Sequence, residues 1–235
     1  MNQIKVYTIN TPDLSLIDMA AIIGVTFIRK PLDEIMRGMT KERAKKIISN
    51  VVWMDHMSAL EHMQYTFVVE GASRVFLAQV TRHRMASYTS GSQQYQLHGD
   101  FDYLLPEGFE SWETSAQVNY RLVMDSCNEI YKHLLEAGVN RDDARYVLPG
   151  ACRVNSLVIS MNVRELFSFF KQRICKRNTA ETMLISRRML SIVYRDYPDL
   201  FKLCGPACVT CDKCDQGSKT CGKPYMDFEE MLHGS

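Results

Sequence analysis

The run Met63 to Glu70, MQYTFVVE, leaves the fewest conformations open to this chain. Aromatic and β-branched residues dominate it, which suits a pleated, packed surface, and Gly71 ends it. Beyond the glycine, Val75, Phe76 and Val80 recur at helical spacing within Ala72 to Arg84, so a strand should feed directly into a helix. A second run, Arg153 to Met161 (RVNSLVISM), has the same character, and Asn162 opens a helix reaching about Arg173. Around these lie an alternating strand at Ile4 to Ile9, a helix starting near Asp13 and an exposed Lys/Arg-rich helix at Thr40 to Asn50. Further on, an irregular polar segment is expected at Ser87 to Tyr95 and a long amphipathic helix at Glu113 to Glu136. A short helix at Arg141 to Val147 and another at Ala180 to Tyr194 follow. The strands and helices do not alternate as βαβ units, which favours the α+β class: one compact domain over residues 1–203, a mixed or antiparallel sheet flanked by helices. Pro198 and Gly205-Pro206 then open a Cys-rich tail, residues 204–235, packed on that domain or extending from it.

With 46% hydrophobic residues in 235, a sizeable core is available. The 28 basic and 27 acidic residues leave a net charge of +1, too little to attract a long polyanion, so no nucleic-acid partner is expected and any phosphate must be gripped locally. The N-terminal MNQIKVYTINTPDL lacks an apolar signal core, and no run approaches the roughly 18 apolar residues of a membrane span, so a cytoplasmic protein without a membrane partner is expected. In that setting the eight cysteines read as reduced thiols or a metal site rather than as a disulfide scaffold.

Chemistry concentrates in three places. Arg82-His83-Arg84, seven further residues and Ser92 place two guanidiniums and an imidazole before a hydroxyl-rich segment, a local anion site. Gln79 lies three and four residues before Arg82 and His83, so all three share one helical face; a solvated basic helix end is the bland alternative. Upstream, His56-Met57-Ser58-Ala59-Leu60-Glu61-His62 lacks the HExxH arrangement of a zinc helix, so polar residues beside a cofactor are favoured over a metal site. In the tail, Cys208, Cys211, Cys214 and Cys221 have a spacing that could enclose a structural zinc ion, with free thiols as the competing reading.

The combination of RHR, seven residues and Ser, preceded by an HxSxxEH segment, resembles the flavin-dependent thymidylate synthases. The resemblance continues through Ala144-Arg145-Tyr146-Val147-Leu148-Pro149, Met161-Asn162-Val163-Arg164-Glu165-Leu166 and Phe169-Phe170-Lys171-Gln172-Arg173, and into Gly205-Pro206 and Thr220-Cys221-Gly222. It implies a homotetramer with active sites at subunit contacts and FAD between protomers. It also implies a reaction in which NADPH reduces FAD, methylenetetrahydrofolate gives one carbon and dUMP becomes dTMP. Carried over by position, His62, Arg82, His83, Arg84, Asn162 and Arg164 resemble cofactor contacts. Gln79, Ser92, Gln94 and Arg145 match the nucleotide-binding positions, and Arg173 the arginine that polarises the pyrimidine. Two departures touch the substrate region. Ser92-Gln93-Gln94-Tyr95 stands where the family has SxRY, and Arg177-Asn178-Thr179-Ala180-Glu181-Thr182-Met183 where it has RAQWEIR. They leave open a family member acting on a different pyrimidine, such as a dCMP-like, hydroxymethylated or non-phosphorylated acceptor. A regulatory protein with a zinc-ribbon-like tail is disfavoured by the near-neutral charge.

Overall fold

The computed structural model describes residues 3–93 and 101–234; Gln94 and Tyr95 lie outside them. The chain begins with β1 (Lys5–Asn10), α1 (Leu16–Gly24), α2 (Leu32–Arg37) and α3 (Lys41–Trp53). A 3-10 turn (Met57–His62) leads to β2 (Gln64–Ser73), α4 (Arg74–Val80) and β3 (Ala86–Ser90). Next come a 3-10 turn (Phe109–Ser111), α5 (Thr114–Glu136), α6 (Arg141–Ala144), a further 3-10 turn (Arg145–Val147) and β4 (Arg153–Asn162). The remainder is helical and short-turned: α7 (Val163–Arg173), α8 (Ala180–Asp196), α9 (Pro198–Phe201), α10 (Ala207–Thr210), a 3-10 turn (Gly217–Lys219) and α11 (Phe228–His233). The class is α+β, as read from the order of elements.

The four strands form one sheet in the order β1-β2-β4-β3. β2 and β4 run antiparallel: the Arg74 N–H donates to the Cys152 carbonyl at 3.0 Å and the Val163 N–H to the Met63 carbonyl at 2.8 Å. The middle of β2 is buried at Phe67, Val68 and Val69 in succession, as a strand covered on both faces requires. Each strand ends in a polar residue that caps the next helix. Ser73 Oγ accepts from the Phe76 N–H at 3.1 Å, and Asn162 Oδ1 accepts from the Glu165 N–H at 2.8 Å.

Contacts divide the chain into two units, one comprising Met1–Lys5, Val68–Arg84 and Tyr88–Ile159, the other Val6–Phe67, Met85–Ser87 and Ser160–Ser235. In the first, α5 packs on α6, and Phe109, Trp112 and Tyr120 cluster with ring centroids 5.1 to 5.9 Å apart. In the second, α1 packs on α3, and α7, α9 and α11 pack on α8. Tyr65 and Phe170 each meet Phe201 edge to face at its centre, with centroids 6.3 and 6.4 Å apart. The tail is docked on this second unit. Met231 and Leu232 of α11 are buried, and Tyr225 is clasped by Arg187 Nη2, which donates to its hydroxyl at 2.8 Å, while that hydroxyl donates to the Ile174 carbonyl at 2.9 Å.

Three local expectations need correction. Ser87 to Ser90 of the segment expected to be irregular belong to β3, because Tyr88 and Thr89 favour the extended state and β4 supplies a partner edge. The helix expected over Ala72 to Arg84 is only α4: Gly71 does not end β2, which runs on to Ser73, the residue that caps the helix, and α4 ends at Val80. Gln79, Arg82 and His83 therefore do not share a helical face; Arg82 to Arg84 occupy the turn after it. The first helix begins at Leu16 rather than Asp13, since Ser15 and Asp18 form a reciprocal capping box.

Gly71, at φ +74°, lets β2 turn past Gln3 and Arg153, where an added Cβ would lie 3.3 Å from the Gln3 carbonyl oxygen and 3.2 Å from Arg153 Nη1. Gly71→Ala is expected to lower unfolding free energy by about 1–2 kcal/mol, the cost of a left-handed non-glycine residue. Urea denaturation followed by circular dichroism measures it; an unchanged midpoint would show that the strand relaxes freely there.

Candidate active site

In the first unit the RHR segment is a turn with its charges outward: Arg82 and Arg84 are exposed, whereas His83 is 5% exposed. Tyr88 fixes this turn. Its hydroxyl lies 2.7 Å from the Val80 carbonyl oxygen and 2.9 Å from that of His83, sharing one proton between the last turn of α4 and the residue between the two arginines. Gln79 is half-buried on α4.

Beside this turn, the chain reaching Ser92 is tied down by a residue the sequence reading passed over. Arg74 Nη2 donates to the Gly91 carbonyl at 2.8 Å, and the Gly91 N–H donates to the Ser156 carbonyl at 3.2 Å. Burial lowers the Arg74 pKa, the Cys152 thiol opposes that shift, and the neighbouring Arg145 guanidinium adds to it. Arg74 stays protonated nonetheless. Arg145 is itself half-buried, with Nε donating to the Asp142 carbonyl at 3.2 Å and Nη2 3.3 Å from Asp142 Oδ1. Arg74, Arg145 and Ser92 thus form one cationic, hydroxyl-bearing neighbourhood, suited to an anion. The signal for Arg74 was its place directly after the strand-end cap Ser73. Gln94, the other expected substrate residue, lies outside the described residues.

The second unit holds a cavity of about 1040 Å³. Asn162, the α7 cap, and Arg164, one residue into that helix, both line it, so the strand-to-helix junction aims two expected residues at one space. Glu61 lines it beside Arg164 and accepts from that guanidinium, its Oε1 2.5 Å from Nη1. The two side chains are 52% and 39% exposed, so the pair positions the guanidinium more than it stabilises the fold. Trp53, the last residue of α3, lines the same cavity with 86% of its surface exposed, a free aromatic face that the sequence reading also missed. His62 is exposed and is not among the lining residues. Lys171 and Gln172 line both this cavity and a second one of about 310 Å³, which carries Arg173. Arg173 is half-buried there with Arg177 and Asp215. The Gln216 amide, and after it the Lys171 ammonium, hold the Asp215 carboxyl below its usual range. Three cations against one carboxylate favour an anionic or electron-rich ligand.

Among the described residues, no three His, Cys, Asp or Glu side chains are grouped as a bound metal requires, neither around His56, Glu61 and His62 nor among Cys208, Cys211, Cys214 and Cys221. The expected tail quartet is not gathered as such. Cys211 is exposed and lines the large cavity, whereas Cys208, Cys214 and Cys221 face a different one.

Residues 9–199 match the family described as Thymidylate synthase complementing protein. The chain is 36% identical over 194 residues to a flavin-dependent thymidylate synthase of Geobacter sulfurreducens, covering 82% of each chain. It is 39% identical over 183 residues to that of Sulfolobus acidocaldarius, covering 77% of this chain and 69% of that one. Its fold is similar to the crystal structure of the UMP/dUMP methylase PolB from Streptomyces cacaoi bound with 5-Br dUMP. The TM-score is 0.72 at 18% identity, over 85% of this chain and 94% of that one.

The Tyr88 hydroxyl is the element of this site most easily tested alone. Tyr88→Phe removes the donor from two carbonyls, at an expected cost of about 0.5–1.5 kcal/mol. Amide exchange should quicken at residues 82–84 more than in the core of α5. Uniform quickening across the protein would show that the hydroxyl supports the whole unit and not this turn.

Proposed function

The chain belongs to the Thymidylate synthase complementing protein family, and on that premise we propose that it methylates dUMP to dTMP, using FAD, methylenetetrahydrofolate and NADPH. The observation that carries this reading is the cavity where Asn162, Arg164 and Glu61 meet beside the open face of Trp53. Its size and its mixture of aromatic, amide and guanidinium groups fit a flavin ring with a polar edge. FAD, reduced by NADPH, would supply the hydride that turns the transferred carbon into a methyl group.

The chain's own residues orient and stabilise. Asn162 uses its carbonyl oxygen as the α7 cap, and its amide nitrogen keeps two donors that the cap does not use. Arg164, held by Glu61, presents a fixed positive charge. Arg173, in a field raised by Lys171 and Arg177, stabilises the negative charge that develops on a pyrimidine carbonyl when the ring is attacked. Arg145 and Ser92, with Arg74 beside them, grip the nucleotide phosphate, supported by Gln79. Arg82, His83 and Arg84 hold the cofactor's polar portion. The working form is a homotetramer whose active sites form at subunit contacts. Val118, Leu122, Val123 and Ile130 of α5 are each about half exposed, which favours such assembly. A cytoplasmic location accords with the finding that no helix among the described residues is long and apolar enough to cross a membrane.

Purified protein should be yellow, or become so with added FAD. Arg82→Ala and Arg84→Ala should each weaken FAD binding at least about tenfold, the loss of one charge-assisted hydrogen bond. Anaerobic incubation with NADPH, methylenetetrahydrofolate and dUMP, UMP or dCMP, with product identification by mass, tests the substrate. A colourless protein indifferent to FAD, or methylation of dCMP in place of dUMP, would overturn the proposal in part or whole. Light scattering should give the mass of four chains, and Leu122→Glu with Val123→Glu should reduce it.

A further inference from the structure

The tail between Ala207 and Tyr225 has little hydrophobic reason to hold a shape. No residue from 208 to 224 is buried, and only Cys208, Val209, Cys214 and Cys221 are half-buried. Regular structure there is confined to the four residues of α10 and a three-residue 3-10 turn, and Asp212, Gly217 and Gly222 adopt positive φ of 50, 53 and 71°. Segments this poor in core are ordinarily held by cross-links or by metal.

Three of the four half-buried residues are cysteines, and they share one small cavity of about 20 Å³ with Cys175, which follows the end of α7. That is room for a single small occupant. Pro206, Ala207, Pro224 and Tyr225 wall it. The Arg177 backbone N–H donates to the Cys175 sulfur, and the Cys221 and Cys208 thiols are near enough to act on it electrostatically. Lys176 lines the same cavity, its ammonium 2.8 Å from Glu230 Oε1 and 4.3 Å from the Tyr225 ring centroid. Cys211 is turned away, exposed, toward the larger cavity.

We propose that Cys175, Cys208, Cys214 and Cys221 form a structural zinc site, with Cys211 outside it. Four sulfurs suit the tetrahedral preference and softness of zinc. Each thiol gives up one proton as its sulfur bonds the ion, so four protons leave and the centre carries two negative charges; the N–H from Arg177 donates to one sulfur, and Lys176, already paired with Glu230, shares the cavity lining with Asp215. The four thiols surround the cavity without converging, and no three of them hold an ion as they stand. Holding one ion would require the four side chains to turn inward about χ1, so that binding and ordering would be one event.

The test uses the full-length protein, desalted and analysed for zinc, with each cysteine mapped by iodoacetamide labelling before and after a strong chelator. About one zinc per chain is expected. Cys175, Cys208, Cys214 and Cys221 should be shielded until the chelator is added, while Cys211 is labelled throughout. Cys211→Ser should keep the metal and Cys175→Ser should lose it. If Cys175→Ser proves insoluble, the labelling pattern of the parent protein decides alone. The proposal is overturned if the protein neither carries nor takes up added zinc and its labelling ignores the chelator. It is equally overturned if the four cysteines are found as disulfides, or if Cys211→Ser loses zinc that Cys175→Ser retains.

Discussion

The antiparallel pairing of β2 with β4 is the constraint from which the rest of the site follows. Each strand ends in a short polar residue, Ser73 or Asn162, whose side chain begins the next helix, and each exit lies against the other strand's entry through the Arg74–Cys152 and Val163–Met63 bonds. A one-residue slip of β4 would turn Leu157, Ile159 and Met161 from buried positions to the less covered face that carries Ser156, Val158 and Ser160. It would also displace the caps, and with them Arg74 and Arg164, which stand one and two residues beyond. Hydrophobic burial therefore sets where the polar chemistry is delivered.

Much of this could be read from the residues because strong local signals agreed with the tertiary outcome. MQYTFVVE and RVNSLVISM became β2 and β4, and the long periodic stretches became α5, α7 and α8. What escaped was decided by partners distant in sequence. Ala86–Ser90 is too short and polar to declare itself a strand, and becomes one only because β4 offers its edge. The arginines of the RHR segment fall in a turn because the Tyr88 hydroxyl closes on Val80 and His83 from beyond it. Arg74 looked like one more helical residue until Gly91 was found in its grip, and Trp53 like an ordinary helix end until its exposed face was seen on the cavity. Asn162 and Arg164 were legible as neighbours because one helix start carries both. The tail's cysteine spacing was legible too, but spacing alone did not include Cys175, a contribution from a separate element.

The arginines of the two units divide by what they do for the folded chain. Arg74 is partly buried, and its bond to the Gly91 carbonyl ties a loop to the strand end, so its loss would disturb structure as well as any ligand. Arg82 and Arg84 are exposed, and Arg164 is paired only at the surface. Solvent and salt screen such charges, so holding them in place contributes little to folding. Replacing them should therefore be felt little in stability.

The clasp of Tyr225 between Arg187 and the Ile174 carbonyl gives the C-terminal helix an attachment independent of the loop that leads to it. Together with Met231 and Leu232 buried against α8, it makes α11 resemble a peptide ligand already seated in its receptor. The intervening loop serves this ligand as a tether, raising its local concentration without defining its pose. Lengthening or nicking the tether would change how often α11 returns after it leaves, and leave unchanged the place to which it returns.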